Sequence, residues 1–273
     1  MSLGLVDAIL LGVVEGLTEF LPVSSTGHLT IAEGLLGLEV DDPSVTGFTA
    51  VIQSGAIAAV LIYFWTDIVR FARGFFGGLG SRAGRQTDDW RLSLAVLAGS
   101  MPIGIVGLAF RDVIKGPVLR SLTTVGIALI AWSVVMVYAE RRATQRRAEA
   151  DVTVRDGLLI GLAQCVALVP GVSRSGATIS AGLLLGLDRV AATRMAFFLG
   201  IPALVAAGAL ELPSALSGSV GLGPVLVGTV VSFVVAYASI AWLLRFVTTH
   251  SIVAFVPYRV ALGVVVLGVV AFA

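Results

Sequence analysis

One passage occurs twice in this sequence, and this repeat limits the fold more than any other feature. Gly12–Leu38 reads GVVEGLTEFLPVSSTGHLTIAEGLLGL, and Gly161–Leu187 reads GLAQCVALVPGVSRSGATISAGLLLGL. In ungapped register 9 of the 27 positions are identical, and they include a Val-Ser pair and a nearby glycine, so apolar composition alone is a poor explanation. Each copy is an apolar stretch that a Pro, Gly, Ser and Thr cluster interrupts. This pattern is typical of a discontinuous membrane segment with a hydroxyl-rich tip.

The composition places the chain in a lipid bilayer. Of its 273 residues 57% are hydrophobic and 13% charged, and the mean hydropathy is +1.00. A chain this apolar cannot bury its surface in one soluble core, so we expect an integral membrane protein. A net charge of +1 gives no reason to expect a nucleic-acid partner, and the single Cys165 permits no internal disulfide. The N-terminus lacks the basic region of a signal peptide, so its first apolar stretch is expected in the mature protein.

Six stretches approach the roughly 20 apolar residues that a bilayer requires. They are 45–64, 92–110, 121–139, 190–211, 222–244 and 252–272. The two repeat copies differ, because the interruption splits each into halves and the second half is too short to cross. Each copy is therefore predicted to be a re-entrant hairpin whose tip lies at membrane depth. The predicted fold is all-α, with six transmembrane helices and two re-entrant helical hairpins.

Counting the spans predicts an inverted-topology repeat. Three spans separate the hairpins, so the two hairpins insert from opposite faces and their tips meet near the midplane in one shared site. We expect a single membrane domain over residues 1–273, with repeat one at about 1–140 and repeat two at about 155–273.

Basic residues predict the orientation. Only Arg111, Lys115 and Arg120 fall in loops on the side from which the first hairpin inserts, whereas most of the 18 basic residues fall on the other side. The positive-inside rule then places both termini outside the cytoplasm. The Arg-rich loops at about 65–91 and 140–156 are predicted to determine topology and to contact anionic lipids.

Two carboxylates stand in the first half of repeat one. Glu15 and Glu19 are four residues apart and therefore share one helix face. An ionised carboxylate at bilayer depth costs roughly 2.5 to 3.5 kcal/mol, and two neighbouring ones repel. Compensation by a divalent cation, a shared proton or a partnering Arg is expected; the alternative is that both reach the interface from a helix end.

The first tip carries a cluster of hydroxyl groups. Ser24, Ser25 and Thr26 precede Gly27, which allows close backbone approach, and the following half-helix presents free N–H groups to the same point. This arrangement predicts an anion-binding site, although a Ser/Thr cluster is also an ordinary helix cap. His28 follows as a candidate catalytic residue, with an interhelical hydrogen bond as its structural alternative.

The second tip carries a permanent positive charge. Arg174 stands where the first copy has a serine, and its fork of donors suits phosphate oxygens; the structural alternative is a salt bridge to Glu15 or Glu19. Ser173, Ser175, Gly176 and Thr178 complete a second anion-binding tip. Glutamine and leucine replace the two glutamates in this copy, so one copy supplies acid-base or metal ligands and the other supplies positive charge. This division favours catalysis on a phosphorylated substrate over a symmetric pore.

Two further polar residues lie within predicted spans. Gln53 is a candidate substrate contact whose alternative is a helix-packing hydrogen bond. Arg259 is predicted to neutralise a lipid headgroup or to extend to the interface.

At both tips the sequence resembles the undecaprenyl-diphosphate phosphatase family, the bacitracin-resistance proteins of bacterial membranes. EGLTEFLPVSSTGHL at Glu15–Leu29 is similar to the family's glutamate-rich first motif, and PGVSRSGATIS at Pro170–Ser180 to its serine-arginine second motif. The similarity extends through Phe48–Ala56, Met101-Pro102 and the final span, and therefore over essentially the whole chain.

The resemblance implies an enzyme that hydrolyses undecaprenyl diphosphate to the monophosphate carrier of cell-wall synthesis and so confers bacitracin resistance. It further implies a multi-pass protein of the bacterial inner membrane, an active site open to the extracytoplasmic side, a divalent cation such as Mg²⁺ or Ca²⁺, the inverted repeat, and a homodimer. The family's functional positions fall here on Glu15, Glu19, Ser25, His28, Ser173, Arg174 and Thr178.

A mechanistic hypothesis follows from the motifs and the resemblance together. Arg174 and the two half-helix N-termini hold the diphosphate, while Glu15 and Glu19 hold the metal or manage protons. Ser25 is the preferred nucleophile, activated by Glu19 or His28, and direct attack by water is the next choice.

Other function classes share parts of this pattern. A lipid-phosphate flippase or transporter also uses inverted repeats and broken helices. A phosphatidic-acid type of lipid phosphatase would need a second histidine, and only His250, in a short polar loop, is available. A purely structural membrane protein would have no reason to retain two carboxylates and an arginine at depth.

Overall fold

The structure is a computed structural model that describes residues 3–39, 42–114, 116–216 and 220–272. Lys115, one of the basic residues used for the orientation, lies outside the described residues. The described helices are α1 (Leu5–Thr18), α2 (Ser25–Leu35), α3 (Pro43–Tyr63), α4 (Trp65–Gly80), α5 (Asp88–Ala109), α6 (Arg111–Ile114), α7 (Pro117–Arg120), α8 (Leu122–Arg142), α9 (Val154–Gln164), α10 (Arg174–Leu184), α11 (Arg189–Leu216), α12 (Leu222–Phe246) and α13 (Val256–Phe272). Four 3₁₀ turns occur at Gly84–Gln86, Glu149–Asp151, Cys165–Leu168 and Ile252–Phe255, and no strand is present among the described residues.

Among the described residues, six helices are long and apolar enough to cross a membrane, which confirms the predicted number of spans. They cover Ser44–Tyr63, Asp88–Ala109, Leu122–Arg142, Arg189–Leu210, Leu222–Phe246 and Ile252–Phe272. The helix of the second span begins at Asp88, before the predicted residue 92. Thr87 accepts a hydrogen bond from the Trp90 amide and so caps the first turn of this helix. That turn is polar, and a prediction from hydropathy therefore leaves it out.

The two repeat copies form pairs of shorter helices. In the first copy α1 has 14 residues and α2 has 11, and in the second α9 and α10 have 11 each. At 1.5 Å per residue, even the longest of these covers only about 21 Å, less than the roughly 30 Å hydrocarbon core. None of the four helices can therefore span the bilayer alone, as the predicted hairpins require.

The predicted loop at 65–91 is largely helical, so that part of the sequence analysis was wrong. Helix α4 places Ile68, Phe71 and Phe75 at helical spacing, and this face packs on the protein. Phe71 is buried, and the Phe75 ring stacks on Trp90 at 5.6 Å. The many arginines of this segment favoured the prediction of a loop, and the apolar face was missed. Burial of this face against α5 stabilises the helix despite the polar residues on its other side.

Arginines of α4 and α11 have acidic partners within the protein. Glu149 accepts hydrogen bonds from Arg70, at 2.7 Å, and from Arg194, which also bonds Asp67 at 2.8 Å. Burial by itself would raise the pKa of the Glu149 carboxyl, but the hydrogen bonds from Arg194 and Arg70 outweigh it and hold that pKa below its ordinary value. Glu149 of the second Arg-rich loop thus fastens this loop to α4 and α11. The predicted contacts of the two Arg-rich loops with anionic lipids stay a prediction.

Glycines bring α1 and α9 close to neighbouring spans. At Gly161 in α9, an added β-carbon would stand 2.0 Å from the Gly99 carbonyl oxygen of α5. At Gly12 in α1, it would stand 2.6 Å from the Gly228 carbonyl oxygen of α12. Gly12 and Gly161 occupy the same position in the two repeat copies, so both copies have a close backbone contact at this point.

We predict that Gly161→Ala lowers the free energy of unfolding by about 1–3 kcal/mol, because the methyl group must displace the α5 backbone. Thermal unfolding in detergent measures this change. Gly268→Ala is the control, since no atom lies within 4 Å of a β-carbon at that position. Equal midpoints for the two variants would contradict the close packing of α5 and α9.

Candidate active site

The two tips have the same unusual backbone. Ser24 has φ 80° and Ser173 has φ 77°, and each is the N-cap residue of the helix that follows, α2 or α10. Positive φ is unfavourable for a residue with a β-carbon, and non-glycine residues adopt it mainly where the surrounding structure enforces it. The two serines coincide in the repeat, so both copies keep this geometry at the same point.

The tips contact each other directly. The Gly171 amide donates to the Ser24 hydroxyl at 3.0 Å, and the Ser175 hydroxyl donates to the Leu21 carbonyl at 2.9 Å. Ser173 also caps its own helix by accepting from the Gly176 amide at 3.1 Å. The Ser24 side chain makes no such cap bond to α2, so the first turn of α2 keeps amide N–H groups available for an anion.

Glu19 lies between Ser25 and Arg174. The Ser25 hydroxyl donates to one carboxylate oxygen at 2.5 Å, and the Arg174 guanidinium donates to the other at 2.8 Å. The predicted convergence of the two tips is therefore present, and the alternative in which Arg174 pairs with a glutamate is realised at Glu19. The same guanidinium also bonds the Gly200 carbonyl at 3.2 Å. A hydroxyl that donates to a carboxylate held by an arginine is suited to act as a nucleophile with the carboxylate as its base.

A cavity of about 180 Å³ opens beside this group. Its wall includes the predicted site residues Glu19, Ser24, Ser25, Thr26, Gln53, Ser173 and Arg174. Hydroxyl groups, a guanidinium and the start of α2 thus face one small space, which is suited to an oxyanion such as phosphate.

Other predicted residues support the tips rather than line this cavity. The Thr178 hydroxyl donates to the Arg174 carbonyl at 2.8 Å, and the Ser175 hydroxyl lies 3.1 Å from that of Ser173. Gly27 is buried, and a β-carbon there would lie 3.0 Å from Val125 of α8. Gly176 has its amide bonded within the cap. These residues fix the shape of the site.

Glu15 is fully buried one turn before Glu19. Neither of its carboxylate oxygens has a hydrogen-bond partner among the described residues, and it does not line the cavity. Gln164, at the matching position of the second copy, is equally buried and also lacks a partner in that part of the chain. An unpaired buried carboxylate is costly, so Glu15 requires a proton or a cation.

Both ring nitrogens of His28 have hydrogen-bond partners. Its Nδ1 lies 2.7 Å from the Ser24 carbonyl oxygen and its Nε2 lies 2.6 Å from the Tyr258 hydroxyl. Because a carbonyl only accepts, Nδ1 carries a proton, and Nε2 of the neutral ring accepts from Tyr258. The interhelical alternative stated for His28 is therefore present, and the residue next to Ser25 in the site is Glu19.

Arg259 is the residue that the sequence analysis misjudged. It is fully buried, so the expectation of a lipid or interfacial contact was wrong. Its guanidinium donates to the Pro22 carbonyl at 2.9 Å on the first tip, and to the Gly171 and Val172 carbonyls at 2.9 and 3.1 Å on the second. It also donates to the Ser133 hydroxyl of α8 at 3.1 Å. One side chain thus joins both tips; an arginine in an otherwise apolar span was the signal available.

Fold and site together define a class. The chain is a multi-pass membrane protein with a small polar cavity at two converging helix starts. It belongs to the family described as bacitracin resistance protein BacA, which matches residues 8–265, and this confirms the resemblance inferred from the two motifs.

Relatives with a curated description match nearly the full chain. Undecaprenyl-diphosphatase 3 of Frankia casuarinae is 55% identical and covers 98% of each chain. Undecaprenyl-diphosphatase 1 of Streptomyces avermitilis is 55% identical over 96% of this chain and 95% of its own. Undecaprenyl-diphosphatase of Cutibacterium acnes is 49% identical over 96% of both.

We predict that Arg259→Met destabilises the protein by several kcal/mol, because each buried carbonyl left unpaired costs roughly 1–3 kcal/mol. The measurement is the unfolding midpoint in detergent. Arg245→Met serves as the control, since Arg245 is exposed at the end of α12. Equal midpoints would show that the tips hold together without this arginine.

Proposed function

We propose that this protein hydrolyses undecaprenyl diphosphate to undecaprenyl phosphate and orthophosphate, which recycles the lipid carrier of cell-wall synthesis and confers resistance to bacitracin. The observation that carries the proposal is the Ser25–Glu19–Arg174 group beside a small oxyanion-binding cavity. The names of relatives about half identical along nearly the whole chain support the same reaction.

The terminal phosphoryl group would bind between Arg174 and the first turn of α2. Both supply positive charge where the oxygens of a transferring phosphoryl group gain negative charge. In the structure Arg174 donates one hydrogen bond to Glu19 and another to the Gly200 carbonyl. The substrate would therefore accept from the remaining N–H groups of the same guanidinium.

Ser25 is the proposed nucleophile. Its Oγ attacks the terminal phosphorus while its proton passes to Glu19, and the bond to the bridging oxygen breaks to release undecaprenyl phosphate. Water then attacks the phosphoserine, Ser25 recovers its proton from Glu19, and orthophosphate leaves. Contact with Ser25 favours Glu19 over His28 as the base, since both ring nitrogens of His28 bond elsewhere. His28 would act by holding the backbone of Ser24.

A divalent cation, Mg²⁺ or Ca²⁺, is proposed at Glu15 and Glu19. The chemistry fits, because the two unpartnered oxygens of Glu15 are hard ligands that such a cation prefers. Among the described residues no group of three or more His, Cys, Asp or Glu could hold a metal, so further ligands would come from hydroxyl groups, Gln53 or the substrate. When bound, the cation would neutralise charge on the diphosphate.

The membrane arrangement is part of the proposal. Matched positions in the two copies support an inverted repeat of re-entrant hairpins: Ser24 and Ser173 share a backbone conformation, and Gly12 and Gly161 pack on spans of the opposite copy. The distribution of arginines supports an extracytoplasmic active site and termini. A homodimer remains a prediction.

A protein that only transported lipid phosphates would release no orthophosphate in detergent, where there is no membrane to cross. We therefore expect the purified protein in detergent to release orthophosphate from undecaprenyl diphosphate without any gradient. In this assay Ser25→Ala should lower kcat by at least about a thousandfold, because both the nucleophile and its proton transfer are lost. Ser54→Ala, on the exposed face of α3, is the matched control. A Ser25→Ala protein that retains most turnover would exclude serine in favour of attack by water.

A chelator should abolish this phosphate release, and added Mg²⁺ or Ca²⁺ should restore it. Glu15→Gln keeps the shape of the side chain but removes its charge, so the cation concentration for half-maximal rate should rise by about tenfold or more. Glu39→Gln, outside the helices and outside the site, is the control. An unchanged cation requirement in Glu15→Gln would remove Glu15 from the metal site.

A further inference from the structure

A second cavity of about 500 Å³ lies between α5 and α11. Its lining is apolar apart from Ser100 and Arg111, and small residues create the space: Gly104 and Gly107 on one side, and Ala203, Ala206 and Ala207 on the other. We call this space the α5–α11 groove. None of the mechanism above uses it.

The groove adjoins the oxyanion cavity. Ile103, Ala203 and Ala207 line both spaces. The apolar groove therefore lies directly beside the cavity that holds the Ser25–Glu19–Arg174 group. A ligand with a charged head in one cavity and an apolar chain in the other would contact these three residues at the junction.

The two helices separate at a definite level. At Gly99 a β-carbon would stand 2.6 Å from the Leu199 side chain, and the Ser100 hydroxyl bonds the Leu199 carbonyl at 3.3 Å. Beyond this contact each helix has a proline, Pro102 or Pro202, which removes one backbone hydrogen bond from its helix. From there both helices continue to their C-terminal ends with the groove between them.

The groove opens toward lipid. Met101 and Leu108 on α5 and Leu210 on α11 are more than half exposed along it. Its far end carries Arg111, two helical turns beyond Ile103, and by the count of basic residues this end faces the extracytoplasmic side.

We infer that the α5–α11 groove binds the isoprenyl chain of the substrate, with the diphosphate in the oxyanion cavity. The inference rests on the proposed function. A groove of this volume falls in the range that encloses a drug-sized ligand, so it holds the isoprene units nearest the diphosphate and leaves the rest of the chain in the bilayer. Binding of these units lowers KM for substrates with a chain long enough to enter the groove.

Glycine positions allow the groove to be filled without strain. At Gly107 a β-carbon would meet only Leu168, at 3.9 Å, and at Gly104 it would meet no atom within 4 Å. Either residue can therefore become leucine without a backbone clash, and leucine favours a helix more than glycine does. Gly268→Leu is the matched control, since this glycine of α13 also has open space and lies outside the groove.

The experiment compares phosphate release from undecaprenyl diphosphate and from five-carbon dimethylallyl diphosphate in detergent. Gly107→Leu should raise KM for the long substrate by about tenfold or more with little change in kcat, because it removes binding that substrate and transition state share. The rise should be several times smaller for the short substrate, whose chain ends near the junction. Gly104→Leu should show the same contrast, and Gly268→Leu should match the unaltered protein on both substrates.

Three outcomes would overturn the inference. Unchanged KM for both substrates in both groove variants would mean that the substrate chain does not bind in the groove. Equal losses on the long and the short substrate would mean that the leucine disturbs the reaction site instead. If the unaltered protein released no phosphate from either substrate, the proposed function would fail first, and this result differs from the other two.

Discussion

The site depends on one buried guanidinium that binds two interrupted helices. Irregular backbone at membrane depth is tolerated only if its polar groups are satisfied within the protein. Arg259 supplies that satisfaction by donating to carbonyl groups at both tips, Pro22 on the first and Gly171 and Val172 on the second. The direct bonds between the tips then add to this anchor. The cost of burying the charge is offset by its acceptors, and the result is a fixed relation between two segments that are far apart in the chain.

That fixed relation brings side chains of opposite charge, one from each repeat copy, together beside one cavity. The first copy contributes Glu19 and the Ser25 hydroxyl, and the second contributes Arg174. Strained serines at both tips, with positive φ, direct the backbone so that each following helix begins at the cavity. Groups held in place before the substrate binds need little reorganisation during reaction, which is the main source of electrostatic stabilisation in phosphoryl transfer. The repeat therefore acts as a scaffold whose two copies have diverged in chemistry and kept the same geometry.

The proposed lipid diphosphate has two parts with opposite solvent preferences, and two adjoining spaces of the protein differ in the same way. The oxyanion cavity is lined by hydroxyl groups, a carboxylate and a guanidinium, whereas the adjoining α5–α11 groove is apolar over nearly its whole length. Helix packing explains both. Close contact at Gly99, Ser100 and Leu199 closes one end of the interface, and small residues beyond it leave room for a chain. An isoprenyl chain bound in the groove would also exclude water from the charged groups, and this exclusion would strengthen their electrostatic interactions.

The sequence by itself determined the six spans, the two interrupted segments and the convergence of Arg174 with the glutamates of the first copy, and the structure selected Glu19 as its partner. Hydropathy fixes the spans because a bilayer demands a minimum apolar length, and the repeat with its charge asymmetry implies convergence because lone charges at depth need partners. The tertiary structure alone decided that α4 is a helix packed on α5, that His28 bonds Tyr258, and that Arg259 is buried at both tips. Those outcomes depend on side chains that are distant in sequence and meet only after the helices pack. Periodicity and composition record which residues avoid water, and they do not record which of them become neighbours.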